Sequence, residues 1–301
     1  FSAFIAEQSS EHNRARVFGV TESIFMLVVI IGPPLGGWLA DIYGFKIMLI
    51  CAGLLYSVAA VIRIGMARVA AQGDEANPEK LSFGNLKGKL GAMTGILLAG
   101  GVLTWILITD GVRDIAFTMS FTLESLYLAE VGGLNLRQIG LLSSVFGIFN
   151  MVTTIPAGKL ADEKGERIAI VAGFSMITVA LVIFLNVFTF WGYVGAWAAF
   201  GVGVGLMSPA YQSLTSKVVP EHLRGTAFGL LHSSLGLFSM PAPAIGAQLW
   251  ESFSPQMPFA ITAVVSFLTM IPAWFKFKLT DEDKVNGKDE VALSTEAVQD
   301  T

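Results

Sequence analysis

Two stretches of the chain decide the fold: residues 11–39 read EHNRARVFGVTESIFMLVVIIGPPLGGWL, and residues 221–249 read EHLRGTAFGLLHSSLGLFSMPAPAIGAQL. Aligned at an offset of 210, they share ten identities in 29 positions, where composition alone would give roughly two or three. Each copy begins with Glu-His-x-Arg and continues as an apolar helix in which a Pro is followed three residues later by a Gly. The repeat therefore predicts two helices that cross a membrane in the same direction.

The composition of the chain favours the bilayer as its environment. Of the 301 residues, 53% are hydrophobic and 14% are charged, and the mean hydropathy is +0.66. Soluble domains carry nearer a quarter charged residues, so an ordinary soluble enzyme is disfavoured. A single cysteine, Cys51, allows no disulfide within the chain. The net charge of −4 comes without a basic stripe, so we expect no nucleic-acid partner.

Long apolar stretches predict an all-α, polytopic transmembrane bundle, because about 20 apolar residues cross the hydrocarbon core as a helix. The predicted spans number eight, and they cover residues 17–40, 47–66, 94–129, 137–161, 167–188, 192–218, 222–250 and 254–278. The chain starts at Phe1 without methionine, signal peptide or charged leader, so we expect a fragment that is truncated at its N-terminus.

The distribution of cationic residues predicts the orientation. If residues 94–129 form one long helix rather than two short ones, 16 of the 19 Lys and Arg fall on the same side. An excess of cations marks cytoplasmic loops. We therefore expect a two-span end of an N-terminal lobe (1–68), a cytoplasmic linker (69–93), a six-helix C-terminal lobe (94–278) and an acidic cytoplasmic tail (279–301).

Three motifs resemble the major facilitator superfamily, and the resemblance covers essentially all of residues 1–278. Residues 32–37, GPPLGG, resemble the Gly-Pro-x-x-Gly-Gly signature of its proton antiporters, although Val28 stands where that signature has another glycine. Residues 158–167, GKLADEKGER, resemble its cytoplasmic loop motif in the second lobe, with Glu163 in place of a basic residue. Residues 220–225, PEHLRG, resemble the usual entry to its eleventh helix. The resemblance implies helices five to twelve of twelve.

This resemblance implies a secondary transporter that moves a small solute by alternating access of two lobes. We expect proton-coupled efflux by a monomer, with a proton symporter or a uniporter of the same fold as the alternative. An intramembrane enzyme or a non-transporting receptor is the alternative from another class. Ser233 beside His232 cannot share a helical face well, and no Walker motif, Gly-x-Ser-x-Gly or zinc pair occurs. We therefore predict no enzyme, no cofactor and no metal.

Charged residues at membrane depth are the first candidates for the site, because they are costly there. Asp110, Arg113 and Asp114 are spaced so that one helical face is expected to present two carboxylates beside one guanidinium. They would bind substrate or protons, or else form a permanent structural salt bridge. Glu22 and His232 lie at equivalent positions of the repeat and could face one cavity, or both could be shallow and hydrated.

Weaker candidates are polar or small. Three intramembrane polar residues would contact solute or hydrogen-bond between helices: Asn150, Tyr211 and Gln212. Small residues and prolines are expected to allow close packing and gating, namely Gly32, Pro33, Gly36, Gly37 and Pro243. The loop motif adds Gly158, Asp162, Gly165 and Arg167. We expect Asp162 to bond a neighbouring helix N-terminus, or Arg14, across the lobe interface, with a simple helix cap as the alternative.

Overall fold

A computed structural model describes residues 13–73, 101–219 and 239–278, and within residues 66–73 it describes the backbone alone. Helices are the only regular elements in these ranges, which confirms the predicted all-α bundle. In chain order they are α1 (Arg14–Tyr43), α2 (Phe45–Gly73), α3 (Val102–Phe121), α4 (Glu124–Glu130), α5 (Leu136–Lys164), α6 (Glu166–Asn186), α7 (Phe190–Val218), α8 (Ala242–Ser252) and α9 (Met257–Lys276).

Six of the described helices are long and apolar enough to cross a membrane: α1, α2 over Phe45–Gly65, α5, α6, α7 and α9. The 20-residue α3 holds the three charges of Asp110, Arg113 and Asp114. Large apolar side chains are widely exposed on these helices, as Leu55 of α2 is at 73%. Such faces suit a hydrocarbon environment, so the chain is an integral, multi-pass membrane protein.

The prediction of one uninterrupted helix over residues 94–129 is wrong at its C-terminal end. The structure ends α3 at Phe121 and begins α4 at Glu124, with a turn between them. There the Leu123 N–H donates to the Ser120 carbonyl at 2.9 Å, a bond three residues back instead of four. This tighter turn interrupts the helix without a proline, a glycine or a charge, so hydropathy alone could not reveal it. Residues 94–100 lie outside the described residues.

The predicted continuous helix over residues 222–250 also needs correction. A turn covers residues 239–241, and α8 begins only at Ala242. Pro243 therefore lies in the first turn of α8 instead of bending a longer helix, which is where a missing N–H costs least. By contrast, α1 runs uninterrupted through Pro33. Residues 220–238, with the Glu-His-x-Arg copy and His232, lie outside the described residues.

Among the described residues, the most extensive helix contact is the antiparallel contact of α1 with α5, which we call the α1–α5 seam. A Cβ built on Gly158 would lie 2.6 Å from the Ala15 carbonyl oxygen, and one built on Gly37 would lie 3.0 Å from the Leu136 carbonyl oxygen. Between these ends, Gly19 of α1 lies against the Thr154 carbonyl of α5, and Gly140 of α5 lies against the Pro33 carbonyl of α1. Because glycine lacks a Cβ, the seam allows backbone-to-backbone contact over its whole length.

Two of the glycines assigned to close packing do not take part in the seam. Within the described ranges, no atom lies within 4 Å of a Cβ built on Gly32 or Gly36. The residues that do approach α5 follow another face of α1, on which Ser23 donates to the Met151 carbonyl at 3.2 Å. Of the three glycines in the GPPLGG motif, Gly37 therefore lies in the seam, and the backbone of Pro33 and Pro34 packs on Gly140 of α5. Gly19, which leads the signature, supplies another close contact.

The remaining helices pack around α5 and α7. Helix α7 lies against α5 and α6, while α9 lies against α6 and α3. Gly201 of α7 lets its backbone approach the Phe146 carbonyl of α5, and Gly203 lets it approach Ile177 of α6. Helix α8 meets α3 where Gly246 packs directly on the Met119 carbonyl. The seam thus joins α1 to a bundle formed by α3 and α5 to α9.

We expect Gly158→Ala to destabilise the protein, because the added methyl would overlap the Ala15 carbonyl; overpacking of this kind typically costs about 1–3 kcal/mol. The melting temperature in detergent should fall. The matched control is Gly195→Ala on the exposed side of α7, where nothing described lies within 4 Å and helix propensity improves. Equal melting temperatures for the two variants would show that the seam is not tightly packed.

Candidate functional site

Polar side chains from three helices meet on one face of α7. Met207, Ser208, Tyr211 and Gln212 are spaced so that they form a continuous stripe along that face. Met207 and Tyr211 contact Arg113 of α3, while Ser208 and Gln212 contact α1. The stripe therefore lies between α3 on one side and α1 on the other, and we call this arrangement the α7 cluster.

The α3 side of the cluster is a buried ion pair. Arg113 pairs with Asp110 three residues earlier, and the two side chains are only 17% and 8% exposed. The guanidinium carbon lies 5.3 Å from the centre of the Tyr211 ring, and Nη1 donates to the Met207 sulfur at 3.7 Å. The Tyr211 hydroxyl donates to the Ile106 carbonyl at 3.3 Å. A charged pair held in an aromatic and thioether environment is strongly coupled, because water screens it little.

The α1 side of the cluster is a single carboxylate. Glu22 is partly buried and is hydrogen-bonded to the side chains of Gln212 and Ser208. The Gln212 amide nitrogen also donates to the Ser208 hydroxyl at 3.4 Å. The fold thus brings together two of the sequence candidates, Glu22 and Gln212, which lie 190 positions apart in the chain.

The prediction that Asp110, Arg113 and Asp114 share one face holds only for the first two. Asp114 turns away, and one of its oxygens accepts a hydrogen bond from the Ser239 hydroxyl at 3.3 Å. Arg113 and Asp114 are consecutive in the helix and point about 100° apart, so Asp114 bonds Ser239 instead of Arg113. The cluster therefore contains one carboxylate for the guanidinium, with a second carboxylate supplied by Glu22 on another helix.

Asn150 lies away from the α7 cluster. It is fully buried, and Thr154 donates to its backbone and side-chain oxygens at 2.7 and 3.0 Å. Its amide nitrogen has no hydrogen-bond partner among the residues that the structure describes. Gly205 of α7 packs directly on its backbone. Asn150 therefore belongs to the α5–α7 contact.

The loop motif forms a second polar contact at one end of the seam. The Ala15 and Arg16 backbone N–H groups donate to the two Asp162 carboxylate oxygens at 3.2 and 3.1 Å. A carboxylate at a helix N-terminus satisfies amides that have no partner within the helix and complements the helix dipole. Gly165 has a φ of 95° and reverses the chain between α5 and α6, which glycine adopts without strain. Its role and that of Asp162 in gating stay predictions.

Several residues of the site were not found from the sequence. Met207 and Ser208 carry no charge. The one sequence signal that could have found Ser208 is its four-residue spacing from Gln212, which puts both on one helical face. Near Asp162, the buried Glu166 accepts hydrogen bonds from Lys217 at 2.5 Å and from Ser213 at 3.0 Å. In the described ranges, no group of three or more His, Cys, Asp or Glu is placed to hold a metal ion.

The comparison with known families agrees with this architecture. The model of the Major Facilitator Superfamily matches residues 1–110 and 106–299. The chain belongs to this superfamily. Solved superfamily members share the fold: the human organic anion transporter MFSD10 superposes with a TM-score of 0.69 at 15% identity over 90% of this chain and 66% of that one. A bacterial homologue of the iron transporter ferroportin, in an outward-facing state, gives 0.58 at 17% identity over 90% and 65%.

Superfamily members with drug-resistance names are similar over most of the chain. The multidrug resistance protein MdtG of Proteus mirabilis is 22% identical over 92% of this chain and 68% of its own length. The class H tetracycline resistance protein of Pasteurella multocida is 23% identical over 89% and 66%. The efflux pump PmrA of Streptococcus pneumoniae is 24% identical over 87% and 64%. The chain spans about two thirds of the length of these relatives.

We expect Asp162→Asn to weaken the contact at the start of α1, because it removes the charge that the helix N-terminus favours, an effect of about 1 kcal/mol. Hydrogen exchange of the Ala15 and Arg16 amides should become about fivefold faster. The control is Glu163→Gln, the adjacent exposed residue, which pairs with Lys159. If both variants leave exchange at these amides unchanged, the Asp162 contact does not stabilise the seam.

Proposed function

We propose that the protein to which this chain belongs is a secondary transporter that moves a small solute across the membrane by alternating access of two lobes. The observation that carries the proposal is the α7 cluster, where Glu22 of α1 meets Gln212 and Ser208 of α7 beside the Asp110–Arg113 pair. Ionisable groups at membrane depth are costly, so they are retained where they bind a solute or a proton. These groups lie on both sides of the proposed lobe boundary.

The α1–α5 seam suits the pivot of such a motion. Its backbones touch near Ala15 and again near Leu136, so the two helices are held together along their length. A rocking motion about this line would open and close the space beside α7 while the seam stays closed. Glu22 lies on α1 itself, so its bonds to Gln212 and Ser208 would be made or broken by the same motion. A small rotation of the lobes thereby changes the partners of a carboxylate.

We propose protons as the coupling ion. When Glu22 takes up a proton, it loses its charge and its hydroxyl can donate instead of accept, so its contacts with α7 change. On the other side of the stripe, an anionic group of a solute could compete with Asp110 for Arg113, or a cationic group could compete with Arg113 for Asp110. Either exchange links solute binding to the lobe contact, which is what coupled transport requires.

We propose efflux as the direction, with the ends of the bundle near Arg14 and Asp162 in the cytoplasm. The motif similarity in residues 32–37 and the drug-resistance names of the relatives support this proposal. Helices α3 and α7 also share an aromatic face, on which Phe117 and Phe121 of α3 stack with Phe200 of α7 at 6.1 and 5.0 Å between ring centres. Such a face accommodates an amphipathic solute.

The test uses the full-length protein in proteoliposomes, with tetracycline, ethidium and fluorescein as probes of differing charge. We expect a proton gradient to drive at least one probe against the direction of proton flow, and Glu22→Gln to reduce this gradient-driven flux about tenfold. Asp41→Asn is the matched control, because Asp41 is half exposed and pairs with Arg137 away from the α7 cluster. Co-directional flux would identify a symporter. Proton coupling would be overturned if the wild type transported every probe at a rate that does not depend on the proton gradient.

A second variant pair separates a functional ion pair from a purely structural one. We expect Asp110→Asn alone to lower stability by about 3–5 kcal/mol, because it leaves Arg113 buried without its counter-charge. The double variant Asp110→Asn with Arg113→Gln should regain thermal stability yet remain inactive in the flux assay. If the double variant regains both stability and flux, the pair is structural and the site assignment is wrong.

A further inference from the structure

A cationic and aromatic patch surrounds the end of α9 on the outside of the bundle. Arg167 of α6 stacks on the Trp274 ring at 4.4 Å from its centre and donates from Nη1 to the Trp274 carbonyl at 3.1 Å. Two residues on, the Lys276 ammonium lies 5.3 Å from the centre of the Trp105 ring of α3. Between them Phe275 points outward and is 71% exposed. We call these residues, with Lys278, the α9 patch.

The cations of the α9 patch have donors to spare. Within the described ranges, no carboxylate forms an ion pair with Arg167, Lys276 or Lys278. Arg167 has five N–H groups, and the Trp274 carbonyl accepts from only one of its nitrogens. The nearby carboxylates are occupied elsewhere, since Glu166 binds Lys217 and Asp162 binds the start of α1. Counted over the residues that the structure describes, the patch therefore presents net positive charge at one end of the bundle.

The surface next to the patch is apolar and runs along α9. Phe267, Leu268 and Ile271 are 55%, 51% and 53% exposed, and they lead along the helix to Phe275. Indole rings at the end of such a surface are typical of the boundary between hydrocarbon and headgroups. A soluble anion would use the cations alone, whereas a phospholipid would use the cations and the apolar surface together.

We propose that the α9 patch binds an anionic phospholipid, with its phosphate held by Arg167 and the neighbouring lysines and its acyl chains along the exposed face of α9. Basic pockets between transmembrane helices bind lipid headgroups of this charge. The site lies on α6, α9 and the start of α3, away from the α7 cluster. It is independent of the transported solute, and it gives the bundle a preference for anionic lipid at one position.

Trp274 supplies its own probe for the test. The complete chain is reconstituted in phosphatidylcholine nanodiscs that contain equal amounts of either brominated phosphatidylglycerol or brominated phosphatidylcholine. Bromine quenches tryptophan on contact, and the difference between the wild type and Trp274→Phe isolates the signal of Trp274. We expect brominated phosphatidylglycerol to quench this signal about fivefold more effectively for each cation that contributes.

Charge variants decide whether the preference is specific. Lys276→Gln with Lys278→Gln should reduce it without touching the Trp274 ring, Arg167→Gln should reduce it further, and Arg167→Lys should keep most of it. The matched control is Lys159→Gln, which removes a charge at the same end of the bundle from a residue paired with Glu163. Equal quenching by the two lipids would overturn the proposal. So would an equal loss of preference in Lys159→Gln, because general attraction would then explain the binding.

Discussion

The backbone contact of α1 with α5 is the constraint on which the other features depend. Lipid offers no hydrophobic force between helices, so close packing and interhelical hydrogen bonds must hold them together. Glycines on both helices bring carbonyl groups and Cα atoms within van der Waals contact, and the Ser23 hydroxyl bridges to α5. A contact that is tight over its whole length resists separation at either end, which leaves rotation about its axis as the less costly motion.

The position of Glu22 follows from the same contact. Ser23 and Gly19 are four residues apart on the face of α1 that meets α5, and Glu22 precedes Ser23 by one position. One residue rotates the side-chain direction by about 100°, so the face that brings Ser23 to α5 brings Glu22 to α7. The packing that closes the seam thus also sets the reach of the carboxylate to Gln212 and Ser208.

The sequence was sufficient for the fold class, because span length and charge asymmetry depend on composition and are local. Charges are rare in apolar runs, so the sequence also predicts Glu22, Asp110 and Arg113 as site residues. The structure places them on two sides of α7, and their role stays a prediction. The sequence failed where the outcome depends on geometry between elements. The turn after Phe121 contains no proline or glycine. The start of α8 depends on whether Pro241 and Pro243 lie inside a helix or at its first turn. The choice of Gly37 over Gly36 for close contact likewise depends on which face of α1 meets α5.

The α7 cluster contains an asymmetry that bears on coupling. Asp110 has a guanidinium partner on its own helix, three residues away, so rigid-body motion of α3 leaves that pair intact. Among the described residues, the hydrogen-bond partners of Glu22 are an amide and a hydroxyl, and they lie on a different helix. A carboxylate bonded to neutral amide and hydroxyl donors lacks a counter-charge, and it can exchange these donors for water or take up a proton. In the proposed mechanism, lobe motion would therefore act first on Glu22, while the Asp110–Arg113 pair would remain a fixed charged feature that a solute could meet from either side.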